Sequence, residues 1–218
     1  MKVPAAMKMQ PNETLLFVGD SLTDCGRREP EYAPYGRGYV RMFRNLLLQR
    51  HPSWRVRVIN RGIGGDTIRD LERRWEADVL AERPDRLVVL IGINDVWRNF
   101  ADPEKLDFHV PLEEYVAIYR ELLRVSQESG IQGICMGTPF FVEPDVDEPM
   151  RRMCDRYGDA VRDLAEELFL DVVGFQAAID RLLEEQHPMM IAPDRVHLNP
   201  HGHLALAEAL YQILCWEG

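Results

Sequence analysis

With 218 residues, 46% of them apolar and 28% charged, the chain can bury a substantial core and is expected to form a single domain over residues 1–218. Its formal net charge of -10 sets up a field that repels polyanions, so neither nucleic acid nor an anionic membrane surface is an expected partner. Residues 1–12 lack the apolar run of a secretory signal, and no stretch approaches the roughly 18 consecutive apolar residues of a spanning helix, so a soluble, cytoplasmic protein is expected.

The first predicted element is a strand at 14–18, which runs directly into Gly19-Asp20-Ser21-Leu22. An irregular stretch at 27–38, rich in Gly, Pro and charge, precedes a helix at 39–49. A second strand at 54–59 leads towards a glycine-rich block at 62–67 and a helix at 68–80. The third strand, 87–91, ends on Gly92-Ile93-Asn94-Asp95, read as a turn; a helix at 112–127 follows, with Gly130 as its stop. A fourth strand at 131–136 gives way to a second irregular stretch, 138–148, whose acidic run 143–148 is read as a solvated loop rather than a cation site. A helix at 149–167, a strand at 168–173 and a last helix at 200–214 with Gly218 as its stop complete the series.

Strands this continuous in apolar residues are buried on both faces, which requires helices above and below a parallel sheet. The fold expected is therefore α/β, a three-layer α/β/α sandwich. Ligands in such sheets bind beyond the carboxyl ends of the strands, where the first three blocks fall. The irregular stretches 27–38 and 138–148 are placed to overhang that edge as specificity loops.

The four blocks hold the parts that acyl transfer needs. Ser21 follows its strand after only two residues, so a tight turn presents its hydroxyl at the strand end. Serine needs a base within hydrogen-bond reach, and a histidine with a pKa of about 6.5 is suited to that. His197, in Asp194-Arg195-Val196-His197, is the chosen base, and Asp194 is close enough in a turn to accept from its Nδ1 and leave Nε2 facing Ser21. The oxyanion of a tetrahedral intermediate calls for donors already in place, one of which is typically worth about 2.7 to 4 kcal/mol of barrier. The N–H of Ser21, the N–H of Gly65 and the side-chain amide of Asn94 are the candidates.

The rival within enzyme chemistry is a metal site built from Asp194, His197, His201 and His203. Helical periodicity after Pro200 sends His201 and His203 to different faces, and a metal leaves Ser21 and Asn94 without a role, so no metal and no cofactor are expected. Cys25, Cys135, Cys154 and Cys215 are scattered without a CxxC pair and read as free thiols. Trp97 and Phe140 are candidates to border an acyl pocket and a sugar platform, with core packing as the alternative for each. Arg98, His109 and His187 are left outside the catalytic set.

In this order the four blocks resemble the GDSL, or SGNH, hydrolase superfamily, whose letters stand here for Ser21, Gly65, Asn94 and His197. The resemblance implies a flavodoxin-like sheet, an acyl-serine intermediate, no metal, and an orienting role for Asp194. Gly-Asp-Ser-Leu-Thr-Asp-Cys-Gly-Arg from Gly19, Ile-Gly-Ile-Asn-Asp-Val-Trp-Arg from Ile91, Thr138-Pro139-Phe140-Phe141 and Pro149-Met150-Arg151-Arg152 are similar to intracellular acetylxylan esterases of that superfamily. This implies a small-molecule or oligosaccharide ester as substrate, with acetyl groups removed from xylan-derived oligosaccharides. A general short-chain esterase, thioesterase or lysophospholipase is the alternative, and a homo-oligomer is left open. One departure is Leu198, directly after the histidine, where those esterases often carry proline; here proline waits until Pro200.

Overall fold

In the computed structural model, residues 8–101 and 109–215 are described. Five strands, β1 (Thr14–Gly19), β2 (Arg57–Gly62), β3 (Arg86–Leu90), β4 (Gly133–Gly137) and β5 (Asp171–Val173), form one sheet in the order β2-β1-β3-β4-β5. Every pairing is parallel. β1 and β3 are buried along nearly their whole length by Leu15, Leu16, Phe17, Val18, Leu87, Val88 and Val89, which demands cover on both faces.

That cover comes from two groups of helices. The chain steps from β1 sideways to β2 and then returns past β1 to β3, β4 and β5, and right-handed crossovers put the helices of opposite steps on opposite faces. Accordingly, α2 (Tyr39–Arg50) packs on α8 (Pro200–Leu214), with α7 (Phe175–Leu183) also against α8. On the other side α5 (Leu112–Glu128) packs on α3 (Ile68–Trp75) and α6 (Pro149–Leu168), and α4 (Ile93–Ala101) lies on α6. The result is the three-layer α/β/α sandwich with a parallel, flavodoxin-like strand order.

Aromatic rings fill both interfaces. Phe17 meets Tyr39 and Phe43 edge-on at 5.7 Å, while Tyr115 meets Tyr119 at 5.5 Å and Tyr157 at 5.0 Å. Among the described residues, four of the buried phenols find partners: Tyr39 with Thr23 Oγ1, Tyr115 with Ile91 O, Tyr157 with Val110 O and Tyr211 with His51 Nε2.

Several elements differ from the sequence reading. The second strand is Arg57–Gly62 instead of 54–59, and the fifth begins at Asp171 because α6 runs to Leu168 and Phe169 closes it in a left-handed cap with φ 57. The helix expected at 68–80 is α-helical only to Trp75 and continues as a π-helical turn over Glu76–Leu80. Helix α4 stands where a turn was expected, and α7 lies in a stretch to which the sequence reading assigned no element. Gly130, with φ +92, does follow the end of α5, whereas Gly218 lies outside the described residues.

The register levels the strand ends. Gly19 pairs with Gly62 on one side and Leu90 on the other, and Leu90 with Gly137. Gly19 tolerates no side chain: its φ is +156, and a Cβ there would fall 2.0 Å from the Leu90 carbonyl oxygen. Gly19→Ala is therefore expected to lower the unfolding free energy by about 3 kcal/mol or more. Gly174→Ala, whose new methyl would meet Ala177 Cβ at an ordinary 3.7 Å, is expected to cost less than about 1 kcal/mol. Urea unfolding of the two variants checks the contrast, and equal losses would refute the close-approach reading.

Candidate active site

β1, the second strand of the sheet, delivers Ser21 to its carboxyl edge. Asp20 caps the single turn α1 (Ser21–Asp24) by accepting from Leu22 N at 3.0 Å, so Ser21 opens a helical turn with its hydroxyl pointing outward. Its Oγ lies 2.9 Å from His197 Nε2, and His197 Nδ1 lies 2.6 Å from Asp194 Oδ2. The other Asp194 oxygen accepts from the backbone N–H of Val196 (3.0 Å) and His197 (2.7 Å), which wraps the turn around the carboxylate. Partial burial pushes the Asp194 carboxyl up, but these hydrogen bonds outweigh it and hold the group below its ordinary range. The structure thus brings together Ser21, His197 and Asp194 in a chain of contacts open to solvent, with the His197 side chain 58% exposed.

The segment carrying His197 is anchored from outside. Arg195 sits at φ 64, its carbonyl accepts from Val142 N at 2.9 Å, and its guanidinium pairs with Glu143 and stacks over the Phe141 ring at 4.4 Å. Glu143 therefore braces the histidine loop, and Glu148 caps α6 by accepting from Arg151 N, so the acidic run is not merely a solvated loop. Asn199 then starts α8, accepting from Gly202 N at 3.0 Å.

The glycine-rich loop after β2 lies beside the serine, since a Cβ built on Gly64 would stand 3.7 Å from Ser21 Cβ. Its N–H groups can be accounted for one by one. Gly62 N donates to Asn60 Oδ1, Ile63 N to Gly19 O, Gly64 N to Asp24 Oδ2, Asp66 N to Ile63 O, Thr67 N to Asp70 Oδ2 and Ile68 N to Asp95 Oδ1. Among the described residues, only the Gly65 N–H in this run has no acceptor. Gly65 holds φ +84, where other residues are strained, and nothing lies within 4 Å of where its Cβ would be. Ser21 N is likewise unengaged, and Asn94 Nδ2 spends one hydrogen on Asp66 O at 2.9 Å and keeps the other. In a folded protein backbone donors are almost always matched, so unmatched ones beside a serine are placed for something that arrives.

A cleft of about 240 Å³ opens on Ser21 and His197, walled by Leu22, Cys25, Leu198 and His203 with Arg37 at its side. Cys25 Sγ lies 3.4 Å from His203 Nε2, and burial pushes its thiol up, away from reactivity. His201 turns to Gln186, so the imidazoles of His201 and His203 are engaged elsewhere than at His197. No group of three or more His, Cys, Asp or Glu is gathered as for a metal ion among the described residues.

Two of the residues assigned from sequence to substrate contact part company. Trp97 is 48% exposed on α4, but Phe140 is fully buried, because the segment after β4 turns inward to pack against the core. Phe140 is corrected from pocket wall to core residue. Arg98, left outside the catalytic set on sequence grounds, donates to Gly65 O at 2.8 Å. Recognising α4 would have revealed it, since Asn94 and Arg98 are one helical turn apart.

Two buried carboxyls support the site. Burial raises Asp20 and Asp95 to about 7, against the single backbone N–H that each accepts from Leu22 and Ile68, while the other oxygen of each has no partner among the described residues. Burial lowers His203 to about 4. Between about pH 4 and 6.5 these effects oppose one another. From about 6.5 to 7 only the carboxyls still titrate, and because the folded state binds the extra protons, stability falls as pH rises. The urea midpoint is therefore expected to drop from pH 6 to pH 8, and Asp95→Asn to shrink that drop. A variant with the same pH dependence as the parent would contradict the assignment.

Residues 17–205 match the GDSL-like Lipase/Acylhydrolase family. An acetylxylan esterase of Geobacillus stearothermophilus is 43% identical over 215 residues, 97% of this chain and 98% of that protein. The crystal structure of Axe2, an acetylxylan esterase from the same organism, superposes with a TM-score of 0.93 at 42% identity, covering 97% of this chain and 98% of the other. Catalytic mutants of Axe2, in which a serine, a histidine and an aspartate are each replaced by alanine, superpose equally well. LAE5, an alpha/beta hydrolase from the metagenome of Lake Arreo, gives a TM-score of 0.91 at 38% identity, covering 95% and 97%.

Proposed function

The chain belongs to the GDSL-like lipase/acylhydrolase family, and we propose that it is a serine acetylesterase that removes acetyl groups from xylo-oligosaccharides through an acyl-serine intermediate. The observation that carries this is the unbroken run of contacts from Ser21 Oγ through His197 to Asp194. His197 Nε2 takes the Ser21 proton as Oγ bonds to the ester carbonyl carbon. The former carbonyl oxygen becomes an oxyanion facing the unengaged N–H groups of Ser21, Gly65 and Asn94. Collapse breaks the bond to the sugar oxygen, which leaves with the proton from His197. Water, deprotonated by the same imidazole, then adds to the Ser21 ester; collapse breaks the bond to Oγ, which regains the proton from His197, and acetate is released. Asp194 holds the imidazole in the tautomer that leaves Nε2 free to accept, and stabilises the imidazolium between the two transfers.

The cleft supports a short acyl group. At about 240 Å³ it is a small cleft beside the serine, which suits an acetyl group. The exposure of His197 and Asp194 lets a bulky alcohol project into solvent. Trp97 shares a helix face with Asn94 and is 48% exposed, which supports a role as a sugar platform. No helix among the described residues is long and apolar enough to cross a membrane.

The purified protein is expected to release acetate from acetylated xylo-oligosaccharides, and to hydrolyse nitrophenyl acetate far faster than nitrophenyl octanoate. Ser21→Ala is expected to lower kcat by about 10⁴-fold or more. A serine-directed phosphonate should add one adduct mass to the parent protein and none to that variant. Ser21→Ala with undiminished activity would remove the nucleophile from the mechanism, and equal rates on the two esters would remove the acetyl preference.

A further inference from the structure

The Gly64–Gly65 peptide, which carries the unmatched N–H, is held by nothing of its own. Among the described residues neither Gly64 O nor Gly65 N makes a hydrogen bond within the protein. A planar peptide flanked by two glycines has wide rotational freedom, so its aim is set by the peptides on either side. The preceding one is tied by Gly64 N to Asp24 Oδ2 at 3.2 Å. The following one is tied by Asp66 N to Ile63 O at a long 3.3 Å and by Arg98, whose Nη2 donates to Gly65 O at 2.8 Å. Of these three ties the one from Arg98 is the shortest, and its donor is cationic, which strengthens it further.

Arg98 is itself held in place. It lies four residues after Asn94 on α4, and Asn94 Nδ2 grips the next carbonyl of the same loop, Asp66 O, at 2.9 Å. Asp70, which closes the capping box of α3 with Thr67, stands 3.9 Å from the guanidinium. Two side chains from one helix face thus seize two successive carbonyls of the loop and leave the N–H between Gly64 and Gly65 pointing free.

We propose that Arg98 is a positioning residue for the reaction: by holding the Gly65 carbonyl it aims the Gly65 N–H at the developing oxyanion. This rests on the serine-esterase reading and adds a residue to it. Because Arg98 acts on the transition state and not on substrate capture, its loss should appear in kcat.

The test compares the parent enzyme, Arg98→Ala, Arg98→Lys and Ser21→Ala on nitrophenyl acetate, together with the affinity of a trifluoromethyl ketone that forms a tetrahedral adduct on the serine. Arg98→Ala is expected to lose about 10- to 100-fold in kcat, less than the about 10²- to 10³-fold that follows outright removal of an oxyanion donor. KM should stay within about threefold, trifluoromethyl ketone affinity should fall by the same factor as kcat/KM, and the pH midpoint should not move. Arg98→Lys should recover part of the loss, and guanidinium ion in the buffer part of that in Arg98→Ala. Full kcat in Arg98→Ala, a loss confined to KM, or a loss in kcat with undiminished trifluoromethyl ketone affinity would each overturn the proposal. Should Arg98→Ala fail to fold, Arg98→Gln, which keeps one donor and most of the stem, is measured in its place by the same criteria. Activity surviving in Ser21→Ala would instead strike the serine reading, so the two failures are separable.

Discussion

Ser21 Oγ and His197 Nε2 stand 2.9 Å apart although 176 residues separate them, and the structure is organised around keeping that distance. One end is fixed by the sheet: β1 is the second of five strands and is hydrogen-bonded on both sides, so its carboxyl end has little freedom. The other end comes from a loop, and loops need separate support. Arg195 supplies it by joining the histidine turn to Val142 and Glu143. Asn199 adds more, since its backbone N–H reaches Ile191 O at 2.8 Å and its side-chain Nδ2 reaches Met190 O at 2.6 Å. Helix α8 then packs on α2, which lies against the same β1 core.

Strand order explains why the proposed oxyanion donors come from where they do. With β1 between β2 and β3, the loops leaving those strands flank the serine, one carrying Gly65 and the other Asn94. Because Gly19, Gly62 and Leu90 share a level, the three loops leave the sheet side by side, with no strand end standing above the others. The close approach of Gly19 to the Leu90 carbonyl is the cost of that levelling, and glycine is what makes it possible. A parallel sheet places these loops beyond its carboxyl edge in any case, so the chemistry exploits a position that topology provides.

How much of this was legible in the sequence follows from which physical signals are local. The apolar strands around Leu16, Val88 and Cys135 announce themselves because a strand buried on both faces has no polar interruption. The second strand misled because its inner half, Val58-Ile59-Asn60-Arg61, ends in polar residues; Asn60 is buried all the same and donates to Thr23 O and Tyr35 O, tying the serine turn to the neighbouring strand. Helix α4 was hidden for a related reason. Gly-Ile-Asn-Asp is good turn chemistry, and nothing local says that Asn94 and Asp95 spend their side chains on the adjacent loop. Phe140 was open from sequence to either reading, pocket wall or core, because whether a ring turns in or out after a strand is decided by packing across the molecule. The serine, histidine and aspartate were accessible because their chemistry constrains residue type; the residues that aim them are constrained by geometry alone.

The buried carboxyls show what that aiming costs. A helix start leaves N–H groups without partners, and at α1 and α3 those N–H groups lie inside the protein, next to the site. Asp20 and Asp95 satisfy one each, Leu22 N and Ile68 N, and both are fully buried with a second oxygen that finds no partner among the described residues. A shorter neutral acceptor would satisfy the same N–H at less desolvation cost, so stability alone does not favour a carboxylate at either place. What a carboxylate adds is a stronger hold on the backbone donor, and the two donors belong to the turn that presents Ser21 and to the helix that follows Gly65. The site therefore accepts a stability penalty that grows towards neutral pH in exchange for fixing the two stretches of backbone on either side of the proposed oxyanion site.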